Sequence, residues 1–137
     1  MEVWPSWYRI SAKALMYNDA WQFLLAKDND WFWDFPGGWL DHGEDTFACL
    51  TREIQEEMWL EVSHIHPQVS CFLTAHKPYS KTRPWIANVF YEVEVKNFDF
   101  TPSEECVEIW FFDDTNISHI KLLPNVKKIM ENFWEKE

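Results

Sequence analysis

A chain of 137 residues fits one domain, taken as residues 1–137, and is long enough to bury a core without disulfides or structural metals. With 47% hydrophobic residues it is not a disordered chain. A net charge of −11 leaves no overall excess of base for general nucleic-acid binding, and it works against an anionic substrate unless a bound metal and local cations offset the field. The three cysteines, Cys49, Cys71 and Cys106, are scattered without a CxxC and read as free thiols of a reducing compartment. The N-terminus carries no apolar run of signal-peptide type, and no stretch approaches the ~18 apolar residues of a membrane span. The expectation is a cytoplasmic protein without membrane contact, either monomer or homodimer.

Trp7 to Tyr17 reads as a strand. Asn18-Asp19 is a turn signal and Ala20 to Ala26 a second strand, the two forming an expected hairpin. Asp28-Asn29-Asp30 marks another turn before the short aromatic run Trp31 to Phe35. Pro36-Gly37-Gly38 then breaks regular structure, and two of the chain's three glycines sit there. A helix is predicted over Thr46–Met58, with Asp45 as N-cap. At about 100° per residue, Phe47, Leu50, Ile54 and Met58 share one arc. Glu53, Glu56 and Glu57 share a separate arc facing a cleft.

Val62 to Ala75 and Ile86 to Val95 read as strands, with the polar loop His76 to Trp85 between them. Phe98 to Pro102 reads as irregular chain and Val107 to Phe112 as a further strand. Val126 to Trp134 reads as a C-terminal helix, apolar at Val126, Ile129, Met130, Phe133 and Trp134. The order β-β-β-α-β-β-β-α predicts an α/β fold, a mixed sheet with helices packed on it.

The chemistry concentrates in Gly38 to Leu60, GWLDHGEDTFACLTREIQEEMWL. Glu53, Glu56 and Glu57 lie within one helical turn, and three carboxylates that close repel unless something compensates. Mg²⁺ or Mn²⁺ does so, because hard cations prefer oxygen ligands, and Mg²⁺ is commonly shared with substrate phosphates. Taken alone, EIQEE reads first as a solvated helix face.

Its context separates the two. Gly38 is followed by five residues and Glu44, then by seven residues and Arg52-Glu53. Ile54, Gln55, Glu56-Glu57, Met58, Trp59 and Leu60 complete the run. This spacing resembles the signature of the Nudix hydrolases at every defined position except one, and Trp33-Asp34-Phe35-Pro36-Gly37 resembles the family's approach to it. The resemblance implies a Nudix α/β/α sandwich in which the signature forms a loop–helix–loop. It also implies Mg²⁺-dependent hydrolysis of a phosphoanhydride in a nucleoside diphosphate linked to another group. By position, Glu56 and Glu57 would be metal ligands and Glu53 a ligand or the general base. Arg52 would orient Glu53, Glu44 would brace the loop or join the metal shell through water, and the Gly37 carbonyl would be a further ligand.

The exception is Trp59, where the family has glycine. A glycine there supplies a left-handed conformation that ends the helix. For an L-residue that conformation costs about 1–2 kcal/mol. The expectation is therefore a strained Trp59 or a differently ended helix.

Outside the signature, Glu104 and Glu105 precede a strand in a part of the chain where Nudix enzymes often place another acid, and are candidate metal ligands. Lys77, Tyr79, Lys81 and Arg83 form a cationic loop suited to substrate phosphates and base stacking, with an ordinary exposed loop as the alternative. Gly38 and Trp39 are assigned to the substrate. Trp31, Trp33 and Trp39 could form a stacking platform, or core. His64-Ile65-His66 lacks zinc-type spacing and reads as strand surface.

The leading expectation is a nucleoside triphosphate pyrophosphohydrolase, with oxidised nucleotides among the candidate substrates and no nucleic-acid polymer as partner. Nucleotide-sugar or dinucleoside polyphosphate hydrolysis is the alternative within the family. A non-catalytic Nudix-fold nucleotide-binding module is the alternative outside catalysis.

Overall fold

The computed structural model describes residues 8–75, 85–122, 126, 127, 130 and 131. Its strands are β1 (Tyr8–Leu15), β2 (Phe23–Lys27), β3 (Trp33–Asp34), β4 (Gly37–Trp39), β5 (Val62–Ile65), β6 (Cys71–Ala75), β7 (Trp85–Val95) and β8 (Glu108–Phe112). The α-helix α1 spans Thr46–Met58, and a 3-10 turn spans Ile117–His119.

β7 is the central strand. β1 runs parallel to it over Tyr8↔Trp85 to Leu15↔Glu92, while β5 and β6 pair antiparallel with its two halves. β4 closes the far side of β1. β3, β2 and β8 form a second, antiparallel sheet.

Alternation along β1 and β7 buries both faces of the larger sheet. Ala12, Ala14, Met16, Tyr91 and Val93 pack with Leu50, Ile54 and Met58 of α1. Leu15 and Phe90 face the other way and pack with Leu25, Trp33, Phe35, Phe112, Val126 and Met130. The described residues near the C-terminus, 126, 127, 130 and 131, are helical, so helices lie on both faces of the sheets in an α/β/α sandwich. The remainder of the predicted C-terminal helix lies outside the described residues. None of the described helices is long and apolar enough to cross a membrane.

Three expectations are corrected. The hairpin survives only at its tip, where Tyr17 bridges Phe23 and the Asn18 side chain accepts from the N–H groups of Ala20 and Gln22. Beyond it β1 and β2 part into different sheets, because β1 buries both faces and is enclosed by β4 and β7. The single strand over Val62 to Ala75 is two, broken around Pro67, which has no N–H for a sheet ladder. Phe47 is 38% exposed, its ring edge-on to Tyr91, and Cys49 takes the buried place on that helix face.

β4 forms where the sequence reads as a break. Gly37 has φ 130° and lies so close to β1 that a Cβ would sit 2.0 Å from the Ala12 carbonyl oxygen. Only a residue without a side chain lets β4 pair there.

Candidate metal-binding active site

The Thr46–Met58 helix begins as its sequence implies, with the Asp45 side chain accepting from the Ala48 N–H at 2.8 Å. Its burial pattern sets Leu50, Ile54 and Met58 into the core and turns Glu53 and Glu57 along the flank towards β4. Gly38 is the floor at this point: a Cβ there would lie 2.6–2.8 Å from the Glu53 carboxylate. The carboxylate therefore occupies space that any other residue at 38 would fill. Gly38→Ala is expected to displace Glu53 and lower kcat at least about tenfold, the scale of a disturbed outer metal shell, while the thermal melt stays near that of the parent. Steady-state kinetics beside a melting curve checks this.

Arg52 holds the signature together. It makes a two-pronged pair with Glu44, Nε to Oε2 and Nη2 to Oε1, both at 2.8 Å. Nη1 donates to Glu53 at 2.9 Å and to Glu56 at 3.3 Å. Glu44 also accepts from the Asp41 N–H at 3.1 Å, tying the loop before the helix to the helix itself. The Arg52 guanidinium holds the Glu44 carboxyl down at about 2. The Arg52–Glu44 pair fixes Arg52, and Arg52 in turn fixes Glu53.

The second acidic segment reaches the same place through the chain after the helix. The Ser103 hydroxyl donates to the Glu57 carbonyl at 2.7 Å, and the Thr101 N–H donates to the Met58 carbonyl at 3.2 Å. A reciprocal pair of bonds between Ser103 and Cys106 closes the loop. This brings Glu105 to Glu53 and Glu57, with one oxygen from each lying within 4.8 Å of the others. Glu104 and Glu56 line a recess of about 270 Å³ beside Glu105 and Ser103. Among the sequence candidates, then, Glu53, Glu57 and Glu105 converge, while Glu56 and Glu104 stand at the rim.

Alternate ladder bonds, Ala14 N–H to Pro36 and Leu40 N–H to Ile10, put Gly37 at a non-bonded position opposite Lys13. Its carbonyl is therefore turned away from β1 at the sheet edge. Trp39 lies under the Arg9 guanidinium, 4.4 Å from the ring centre. The three tryptophans near the glycine pair form no common platform. Trp33 is buried core, and Trp31 is 69% exposed beside Lys27. Lys77, Tyr79, Lys81 and Arg83 lie outside the described residues.

Lys13 joins the site with no motif to announce it. Its ammonium bonds Asp34 at 3.1 Å and the Phe35 carbonyl at 3.3 Å, and its charge acts on Glu57. The available signal is its position in β1, two residues from Ser11 and four from Arg9 on one face of an otherwise apolar strand.

Burial pushes the Glu57 carboxyl well above the usual carboxylate range, and its hydrogen bond with Glu53 pushes it further, against the opposing pull of Lys13. Without a cation, burial and the neighbouring Glu53 both favour the neutral form of Glu57. The donor set is wholly oxygen, which is the chemistry a hard divalent cation takes. The crowded, partly buried carboxylates are groups such an ion would relieve, so the acidic cluster fits a divalent metal.

A raised folded pKa gives stability that is present below the unfolded value, 4.5, and lost as pH rises towards the folded value. In chelator, the melting temperature should therefore fall as pH is raised above about 4.5. Added Mg²⁺ or Glu57→Gln should flatten that slope. Parallel melts of parent and variant check it, and equal slopes would count against a strained Glu57.

Residues 7–133 match the NUDIX domain family, and the chain belongs to the Nudix hydrolases. It is 35% identical over 80 residues to a U8 snoRNA-decapping enzyme of Homalodisca vitripennis, covering 58% of this chain and 41% of that protein. It is 27% identical over 126 residues to an RNA pyrophosphohydrolase of Ruthia magnifica subsp. Calyptogena magnifica, covering 91% of this chain and 60% of that protein. The chain thus spans about half the length of these curated relatives. The crystal structure of a MutT protein from Methanosarcina mazei Go1 has the same fold, with a TM-score of 0.73 at 20% identity over 98% of this chain and 97% of that one.

Proposed function

We propose that this protein hydrolyses a phosphoanhydride of a nucleoside diphosphate derivative with Mg²⁺, and that its substrate is a nucleoside triphosphate. The observation that carries the reading is the convergence of Glu53, Glu57 and Glu105 beside Gly38. Glu57 and Glu105 would hold the cation, with Glu56 and the Gly37 carbonyl within the same shell. A bound divalent cation supplies Lewis acidity to the phosphoryl oxygens and acidifies a water. Glu53, oriented by Arg52, accepts the proton of the attacking water. Lys13 offsets part of the carboxylate charge beside the phosphates.

On the face of the sheet that carries Lys13, a row of side chains, Trp39, Ser11 and Asn88, crosses β4, β1 and β7 in register. Ser11 and Asn88 are each 1% exposed; Asn88 donates to the Leu73 carbonyl at 3.3 Å, and the Ser11 hydroxyl is buried without a hydrogen-bond partner among the described residues. A second reading, action on a phosphoanhydride carried by RNA, is favoured by the names of the two curated relatives, a U8 snoRNA-decapping enzyme and an RNA pyrophosphohydrolase. The net charge of −11 opposes a long polyanion and favours the mononucleotide.

Product analysis with Mg²⁺ separates these. The panel holds normal and oxidised nucleoside triphosphates, ADP-ribose, nucleotide sugars, dinucleoside polyphosphates and 5′-triphosphorylated RNA. Nucleoside monophosphate and pyrophosphate from a triphosphate are expected. Preference for the RNA end would favour the second reading. Nucleotide binding without turnover would point to a binding module.

A further inference from the structure

The geometry points to a second metal site of different chemistry, built by His64, His66 and Glu94 on the outer edge of the larger sheet. Two residues apart on one strand run, His64 and His66 project to the same side, since side chains alternate. Glu94 is the register partner of His64 across the β5–β7 pair. The His66 N–H donates to the Glu92 carbonyl at 3.0 Å, which holds the end of the run against β7. One ligand atom from each of the three side chains lies within 4.8 Å of the others, and the imidazole rings are 4.8 Å apart at 76°. The His66 Nε2 to Glu94 Oε2 distance is 3.6 Å.

Two imidazoles and one carboxylate are the donor set of a borderline-soft cation such as Zn²⁺. The all-oxygen cluster on α1 suits a hard ion instead. His66 and Glu94 also line a groove of about 540 Å³, together with Asp19 and Glu92. The acids of the groove add negative charge beside the three side chains. Partly and fully exposed side chains can close the remaining distance by rotation.

The test is Zn²⁺ titration calorimetry on the whole chain in saturating Mg²⁺, which occupies the carboxylate site. The parent should bind one Zn²⁺ that His64→Ala/His66→Ala weakens at least tenfold. Glu57→Gln should leave this step unchanged, which also separates the site from the proposed catalytic one. Identical isotherms for parent and the double variant would overturn the assignment, as would loss of the step in Glu57→Gln. Far-UV spectra and melts of the variants confirm that they fold.

A second inference rests on the backbone. Among the described residues, those other than glycine with left-handed φ are Trp21 at 59°, Trp31 at 70° and Trp59 at 57°, and all are tryptophan. They are also 80%, 69% and 60% exposed, so no burial explains so large a side chain. Each closes a turn: Trp21 N–H to Asn18, Trp31 N–H to Asp28 and Trp59 N–H to Gln55. These are the places where a turn or a helix end favours glycine. Average usage would put roughly ten glycines in such a chain, whereas this one has three and ten tryptophans.

We infer that the source organism carries glycine at 21, 31 and 59, reading as glycine a UGA codon that another genetic code reads as tryptophan. Peptide mass spectrometry on the protein from its native host, set beside the gene, tests this. Glycine is expected at all three positions over UGA codons, with tryptophan retained at the buried Trp33 over UGG. Tryptophan in the native peptides at any of the three, or UGG there in the gene, would overturn it.

Discussion

Glu57→Gln should lower turnover by more than about 100-fold, beyond the 10–100-fold scale of outer-shell changes around a metal, without loss of fold. The side chain stands at the meeting point of the three carboxylates. Gln keeps the shape and removes an anionic oxygen that the cation needs. Because burial and Glu53 both oppose the charged form of Glu57, the metal-free variant should melt at or above the parent's temperature at neutral pH. The pairing of lost activity with retained or higher stability is what distinguishes a ligand from a structural acid. Steady-state kinetics in Mg²⁺ and melts in chelator measure both. Unchanged turnover would remove Glu57 from the metal shell, and a strongly destabilised variant would make it a structural group.

The second large effect is on stability. The left-handed conformation costs an L-residue about 1–2 kcal/mol, and Trp21, Trp31 and Trp59 each adopt it. Glycine removes that cost but adds about 0.5–1 kcal/mol of unfolded-chain entropy. The triple variant Trp21→Gly/Trp31→Gly/Trp59→Gly should therefore gain roughly 2 kcal/mol after both effects. It should melt several degrees higher. Little packing opposes the change: a tilted Trp21–Tyr17 pair at 6.0 Å and the Lys27 ammonium over Trp31 at 4.2 Å. Trp33→Gly is the contrast. That ring is 7% exposed and edge-on to Phe112 at 5.0 Å. Its loss should cost about 3–5 kcal/mol. Thermal melts of the two variants beside the parent give opposite signs if conformation, and not tryptophan content, governs these sites.

Trp59 also bears on catalysis, because it ends the helix that carries the carboxylates. Its N–H bonds the Gln55 carbonyl at 3.0 Å, and the left-handed cap is formed despite the side chain. Of the two alternatives raised by the sequence, the strained residue is the one found. The helix does not end differently, so Glu53, Glu56 and Glu57 keep their helical positions.

Sequence alone determined the parts of this protein whose causes are local. The Thr46–Met58 helix, its Asp45 cap and its split into apolar and carboxylate arcs follow from a 3.6-residue period and one capping side chain. The family followed from a fixed spacing of charged residues. What lies far apart in sequence needed the tertiary structure. Only strand pairing showed that β1 is enclosed by β4 and β7, which separated it from its expected partner β2. Only the loop bonds from Ser103 and Thr101 to the helix end chose Glu105 over Glu104 for the carboxylate cluster. Only the approach of β4 to α1 made Gly38 the floor beneath Glu53 and brought Lys13 to the site. A carboxylate's role depends on which other charges share its few ångströms of space. Spacing along one helix can state that, but across separate strands and loops it is decided by packing.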